Sequence, residues 1–325
     1  MNILVTGFAG YIGSVVCELL IEQGHNIIGL DNFSNGHQKA IIPGTVTYDT
    51  HVNDTDQLDS IFSKHEPEAV IHLAAKSLVG ESVTNPFTYY EANVVESLSL
   101  LQKMTEYGVK KIVFSSSASV YGEPEKTPIT EEQDSNPVNP YGETKRVFEE
   151  ILKWYQQAHG LRYIALRYFN AAGATSQFGE HHTPETHLIP IILDVALKQD
   201  GPMRIFGSDY ETPDGTCIRD YVHVIDIANA HIGALRFLDN IPGGTYNIGN
   251  GIGFSNKEIY ETAKQITGRD IPLEITARRD GDPAILVASN DKARAELSWI
   301  AEHSELAEII QSAWDWKQKF PHGYE

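Results

Sequence analysis

The sequence predicts an α/β fold, a doubly wound Rossmann parallel sheet with a smaller mixed α/β domain beside it. Three observations predict it. Short apolar runs alternate with helical periodicity through the first half of the 325-residue chain, the pattern of strands buried on both faces under helices. A glycine-rich turn, Gly7-Phe8-Ala9-Gly10-Tyr11-Ile12-Gly13, follows the first apolar run and opens a helix. After about Asn170 the rhythm changes, and Gly, Pro, His and Asp become frequent.

Taken in order, strands are expected at Ile3–Thr6, Ile27–Leu30, Ala69–Leu73, Lys111–Ser115 and Arg162–Arg167. Helices are expected between them at Tyr11–Gln23, Asp54–His65, Phe87–Tyr107 and Pro140–His159. Crossovers in such a sheet are right-handed, and its ligands sit at the carboxyl ends of the strands. Shorter helices are expected at His187–Lys198, Val224–Leu238, Ser255–Thr267 and Glu305–Phe320. The expected division is a dinucleotide-binding domain over residues 1–170 and a substrate domain over residues 171–325, some of whose strands could return to the first sheet. In the helix Pro140–His159, Phe148, Ile151, Leu152 and Tyr155 make an apolar stripe. Val147 and Trp154 lie off it, so a second apolar surface is expected there, with a second copy of this chain as partner.

Composition narrows the function. The chain is 41% hydrophobic, enough for a sizeable core. Its net charge is −19, against the surplus of Lys and Arg that nucleic acid requires. No apolar run approaches the roughly 18 residues of a membrane span, and no signal-peptide pattern precedes Asn2–Thr6, so a cytoplasmic location is expected. Two cysteines, Cys17 and Cys217, are too few for a disulfide framework or a cysteine zinc site, and no metal is expected.

Each glycine of the first turn has a physical task. Gly7 permits the tight turn, Gly10 lets the backbone approach a pyrophosphate, and Gly13 lets helix and strand close up. The helix N-terminus offers unpaired N–H groups to the phosphates. Asp31 ends the second apolar run. A carboxylate there accepts hydrogen bonds from ribose hydroxyls and repels a 2′-phosphate, so the expected cofactor is NAD rather than NADP.

The chemistry is expected from Tyr141 and Lys145, one helical turn apart on one face. A phenol has a pKa near 10 and is a poor base at neutral pH. A neighbouring ammonium and an oxidised pyridinium ring both favour the phenolate. A shift of about three units corresponds to roughly 4 kcal/mol. Ser117, after the fourth apolar run, can share the same substrate proton. Asn93 on the preceding helix is expected to orient the group.

With these residues in view, the chain resembles the extended short-chain dehydrogenase/reductase family, in its UDP-hexose 4-epimerase branch. The resemblance runs end to end, through TGFAGYIGS, VGESVTNP, SSSASVYGE, NPYGETK, LRYFNAAGA, ETHLIP, DGTCIRDYVHV, YNIGNG and RRDGDPA. It implies NAD-dependent inversion of C4 of a UDP-sugar through a transient 4-keto sugar. It implies Tyr141 as base, Lys145 as its ribose-binding partner and Ser117 as proton-sharing group. Cofactor contacts are implied at Gly7, Gly10, Tyr11, Ile12, Gly13, Asp31, Asn32, Asn35 and Gly36. Leu73, Ala74, Asn93 and Tyr168 are implied on the nicotinamide side, with Tyr141 and Lys145. Nucleotide-sugar contacts are implied at Asn170, His187, Leu188, Arg219, Arg279 and Asp282, with Ser117 and Tyr141.

Three positions depart from the family pattern. The adenine-contacting acid is either replaced by His51 or supplied by Asp49 after a shift. A lysine near the cofactor phosphates corresponds to Ser77, with Lys76 beside it. A tyrosine that narrows the sugar pocket corresponds to Leu286, which leaves an N-acetylated sugar or a uronic acid open as substrate. Two rival readings are weaker. A nucleotide-sugar dehydratase would need an acid pair beside Ser117, where the chain has Ala118-Ser119-Val120. A non-catalytic NAD sensor has no need of the base.

Overall fold

A computed structural model describes residues 1–198, 201–279 and 282–325. Asp280 and Gly281 of the RRDGDPA stretch lie outside the described residues. The chain opens with β1 (Asn2–Thr6), α1 (Tyr11–Glu22), β2 (Asn26–Asp31), β3 (Val46–Asp49), α2 (Thr55–His65) and β4 (Ala69–His72). It continues through α3 (Val79–Thr84), α4 (Pro86–Tyr90), α5 (Glu96–Glu106), β5 (Lys111–Ser117), α6 (Pro140–His159) and β6 (Arg162–Tyr168). Then follow β7 (Asn170–Ala172), α7 (Leu188–Lys198), β8 (Met203–Phe206), β9 (Ile218–His223), α8 (Val224–Phe237) and β10 (Gly243–Ile248). The last elements are β11 (Gly253–Ser255), α9 (Asn256–Thr267), β12 (Leu273–Thr276), β13 (Ile285–Leu286), α10 (Asp291–Leu297) and α11 (Leu306–Lys319).

Seven parallel strands form the main sheet in the order β10-β6-β5-β4-β1-β2-β3. The order reverses at β1, which pairs with β2 on one side and β4 on the other. That switch point opens the ligand crevice at the carboxyl ends of the strands. Both faces are covered. Ile3, Val5 and Val113 join Val15, Leu20 and Ile227 from α1 and α8 on one face. Leu4, Val70 and Phe114 join Leu58, Leu101 and Phe148 from α2, α5 and α6 on the other. Each such side chain contributes about 1.5–3 kcal/mol by leaving water. A separate core of Ile189, Ile192, Ile259, Ile309 and Ile310 holds α7, α9 and α11 together.

The helices start where local chemistry starts them. Asn139 caps α6 by accepting from the Gly142 N–H at 2.8 Å, and Pro140 occupies its first position. Gly160 closes α6 with a φ of 67°. Asp54 caps α2, and Ser255 with Glu258 forms a capping box on α9.

Two expectations need correction. The segment Phe87–Tyr107 is not one helix. It runs as α4, a wide π-helical turn at Glu91–Val95, and α5. β3 is a strand that the pattern does not announce, because it is an edge whose residues are mostly exposed. The expected division at residue 170 leaves room for later strands to return to the first sheet, and β10 does so by pairing with β6, while α8 packs against α1. Among the described residues, no helix is long and apolar enough to cross a membrane.

Candidate active site

β1 runs into a turn that only glycine can make. Gly7 has a φ of +72°, and a Cβ on it would lie 2.6 Å from the Ala74 nitrogen. A Cβ on Gly13 would lie 2.1 Å from the Gly7 carbonyl oxygen. Gly10 caps α1 without a side chain, so the first N–H groups of α1 are free to meet an anion. Ile12 lies in that first turn. Leu73 and Ala74 lie across the crevice, held by Thr6 at 3.1 and 3.4 Å.

Asp31 ends β2 and accepts from the Ala9 and Phe33 N–H groups at 3.1 and 2.8 Å. Burial raises its pKa, and those two bonds oppose the rise. The loop then carries Asn32 and the exposed Asn35 to Gly36, which returns against the Asp31 carboxylate. Next to it lies a hollow lined by Asn32, Asp49, His51, Asn53, Asp54 and Glu96. Both candidates for the adenine contact, Asp49 and His51, therefore stand at its wall. The bare turn, the uncapped helix and the ribose-facing carboxylate fit a dinucleotide.

The chemical group lies where α6 meets the end of β5. Tyr141, Lys145 and Glu149 are four residues apart and face Ser117, Ser115 and Ser116. The Lys145 Nζ donates to the Ser115 carbonyl at 2.7 Å and lies 5.8 Å from the Tyr141 ring centre. Ser116 donates to Glu149 at 2.5 Å. Ser117 faces the Tyr141 phenol and accepts from the Ser119 N–H at 3.2 Å. Asn93 sits on the π-helical turn. It accepts from the Lys76 N–H at 2.8 Å and donates to the Lys76 carbonyl and Thr144 hydroxyl, both at 3.0 Å. A widened turn of this kind is frequent at functional sites, and here it aims the amide between the β4 loop and α6.

Burial dominates the electrostatics of the two groups in the chain alone. Burial raises the Tyr141 pKa above its ordinary value, and the Ser117 hydroxyl only partly opposes it. Burial also pulls Lys145 down to about 7, with Glu149 opposing. The protein alone therefore does not make the phenol acidic. Desolvation is the largest influence on both groups, and it favours the neutral form of each.

Among the residues expected to meet the nucleotide sugar, Arg219 on β9 is buried and pairs with Asp282. The Arg279 guanidinium stacks 3.8 Å over the Phe206 ring, and its carbonyl accepts from the Asp282 N–H at 3.4 Å. The three are thus gathered. Asn170 begins β7 opposite Tyr221, two residues from Arg219. His187 immediately precedes α7 and Leu188 begins it, but His187 is engaged with Glu180 and Glu185 at 2.7 and 3.1 Å. Tyr168 is buried, with its hydroxyl bonded to His231. The Tyr11 hydroxyl donates to the Gly173 carbonyl at 2.6 Å and ties the glycine-rich turn to the second half.

The model of the NAD dependent epimerase/dehydratase family matches residues 3–249. The chain belongs to this family. Among curated relatives of this epimerase/dehydratase, UDP-glucose 4-epimerase from Halalkalibacterium halodurans is 52% identical, over 100% of this chain and 98% of that protein. The structure of UDP-glucose 4-epimerase from Bifidobacterium longum in complex with NAD+ and UDP superposes with a TM-score of 0.94 at 36% identity, covering 99% of this chain and 100% of that one. The UDP-Glc/GlcNAc 4-epimerase from Campylobacter jejuni gives 0.87 at 37%, covering 98% and 99%.

This epimerase/dehydratase also carries polar groups that sequence reasoning missed. Glu149 and Arg167 form a buried ion pair at 2.6 Å beneath the serines. Tyr121 accepts from Arg167 at 2.8 Å and donates to Asn247 at 2.7 Å. Glu180, His182, Glu185 and His187 form a second group before α7. Burial works against a charged His182, but the two glutamates outweigh it and lift its pKa to about 9. The Glu180 charge lifts His187 to about 10. The signal in the chain is the Glu-x-His-x-x-Glu-x-His spacing from Glu180 to His187.

Proposed function

We propose that this chain inverts C4 of a UDP-hexose, interconverting UDP-glucose and UDP-galactose through a transient 4-keto sugar. The observation that carries the reading is the close meeting of Ser117, Tyr141 and Lys145 beside the glycine-rich turn. When bound, NAD supplies the acceptor and donor for the C4 hydride and a positive ring beside the phenol. Gly7, Gly10, Ile12, Gly13 and Asp31 would hold its phosphates and ribose, and Lys145 its second ribose. Tyr141 removes the C4 hydroxyl proton and Ser117 shares it. Arg219 and Arg279 anchor the diphosphate while the keto sugar turns about its diphosphate bonds. Tyr141 then returns the proton to the opposite face.

The reaction is redox-neutral, which sets the test. Purified protein given UDP-galactose and no added cofactor is expected to yield UDP-glucose, with NAD released on denaturation. A need for added reductant in proportion to product would remove this reading. Leu286, packed against Val120, Tyr121 and Phe169, is the position at which the resemblance implies a pocket-narrowing tyrosine. The same assay with UDP-N-acetylglucosamine reads the room it leaves.

The proposed setting is the cytoplasm, and the proposed assembly is a homodimer. Trp154 on α6 is 66% exposed and Val95 58%, apolar surface that a second copy would cover. Sedimentation should give twice the chain mass; a monomer at micromolar concentration would count against it.

A further inference from the structure

Eight consecutive residues bring four metal-type ligands to one point. We propose that Glu180, His182, Glu185 and His187 form a zinc site. One ligand atom from each lies within 4.8 Å of the other three. The His182 Nδ1 lies 3.3 Å from Glu180 and 3.6 Å from Glu185. The His187 Nδ1 lies 2.7 Å from Glu180 and 3.1 Å from Glu185. Ligands about 2.0–2.2 Å from a tetrahedral ion stand roughly 3.3–3.6 Å apart, so these spacings need only small adjustment.

A closed ion-pair cluster is the competing explanation, and metal content separates the two. The His182 Nδ1 faces oxygens of both glutamates at 3.3 and 3.6 Å without an aligned hydrogen bond to either. Both imidazoles turn the same nitrogen inward. That convergence serves a central ion better than it serves directed N–H···O bonds. A divalent ion also carries the charge that two carboxylates require. Two nitrogen and two oxygen ligands suit zinc, whereas magnesium and calcium take oxygen throughout. Four protein ligands leave no open position, so the site is structural rather than catalytic.

The loop is held for this purpose from both sides. Glu185 accepts from the N–H groups of Thr186 and His187 at 2.8 and 2.9 Å. The His181 carbonyl lies 2.9 Å from the His37 ring nitrogen, and the Tyr324 hydroxyl is bonded to Gly179. Zinc would fix the loop between β7 and α7. On the reading of His187 as a nucleotide-sugar contact, the metal takes its Nδ1 and leaves Nε2 for the substrate.

The test is metal content, which does not depend on the reaction. Full-length protein loaded with zinc sulfate and then desalted is expected to hold one zinc per chain by plasma mass spectrometry. His182→Ala and Glu185→Gln should each lower that content at least about tenfold. Cobalt should give the visible bands of a tetrahedral ion in the native chain and lose them in both variants. Chelation should lower the melting temperature of the native protein and leave that of His182→Ala unchanged. A native chain that retains no zinc, or variants that retain it in full, would overturn the proposal.

Discussion

Tyr141→Phe is expected to lower turnover about a thousandfold while UDP still binds within a factor of two. General acid–base groups contribute between roughly a hundredfold and ten thousandfold, and this phenol serves both the forward and the return proton. The phenyl ring fills the same space, so α6 and its contacts with β5 should persist. The loss should therefore appear in kcat and not in binding. The raised phenol pKa sharpens the expectation. A buried tyrosine that holds its proton is inert unless positive charge is brought to it. Burial works against the charge on Lys145, so the positive ring of a bound pyridinium would add to what the lysine supplies. Stopped assays on the purified variant, with UDP affinity measured by calorimetry, would decide it. Turnover within tenfold of the native protein would take Tyr141 out of the mechanism.

The parts legible in the chain are those written locally. α1 and α6 follow from apolar periodicity and from their caps at Gly10 and Asn139, and β1, β4 and β5 from short apolar runs. β10 was not legible, because Gly243, Gly244 and Asn247 read as loop, and only pairing with β6 makes them a strand. The π-helical turn at Glu91–Val95 was hidden for a related reason. Its cause is the demand that Asn93 reach Lys76 and Thr144, which are distant in sequence. At the site, the spacing of Tyr141 and Lys145 gave their proximity correctly. The raised phenol pKa could not be read from spacing, which carries no information about burial. Glu149 was passed over because a glutamate in a helix normally faces water; here it is 1% exposed.

Glu149→Leu is expected to cost about 3–5 kcal/mol of stability, the range for removing one partner of a buried ion pair. Arg167 is 5% exposed. It donates to Glu149 through Nε at 2.9 Å and Nη2 at 2.6 Å. Leucine would leave that guanidinium with the Tyr121 hydroxyl and a distant Ser135, and would strand the Ser116 hydroxyl as well. For a chain of this length the loss corresponds to a fall in melting temperature of roughly 6 °C. The double change Glu149→Leu with Arg167→Met separates charge from packing. Replacing both ions by apolar groups removes the unpaired charge, so much of the stability should return. Function should not return with it. Glu149 holds Ser116, the neighbour of Ser117, and opposes the discharge of Lys145 one turn away. The double variant should therefore melt near the native temperature yet turn over more slowly, with its pH profile displaced. A Glu149→Leu protein that melts within a degree of the native one would mean that the pair contributes nothing to the fold.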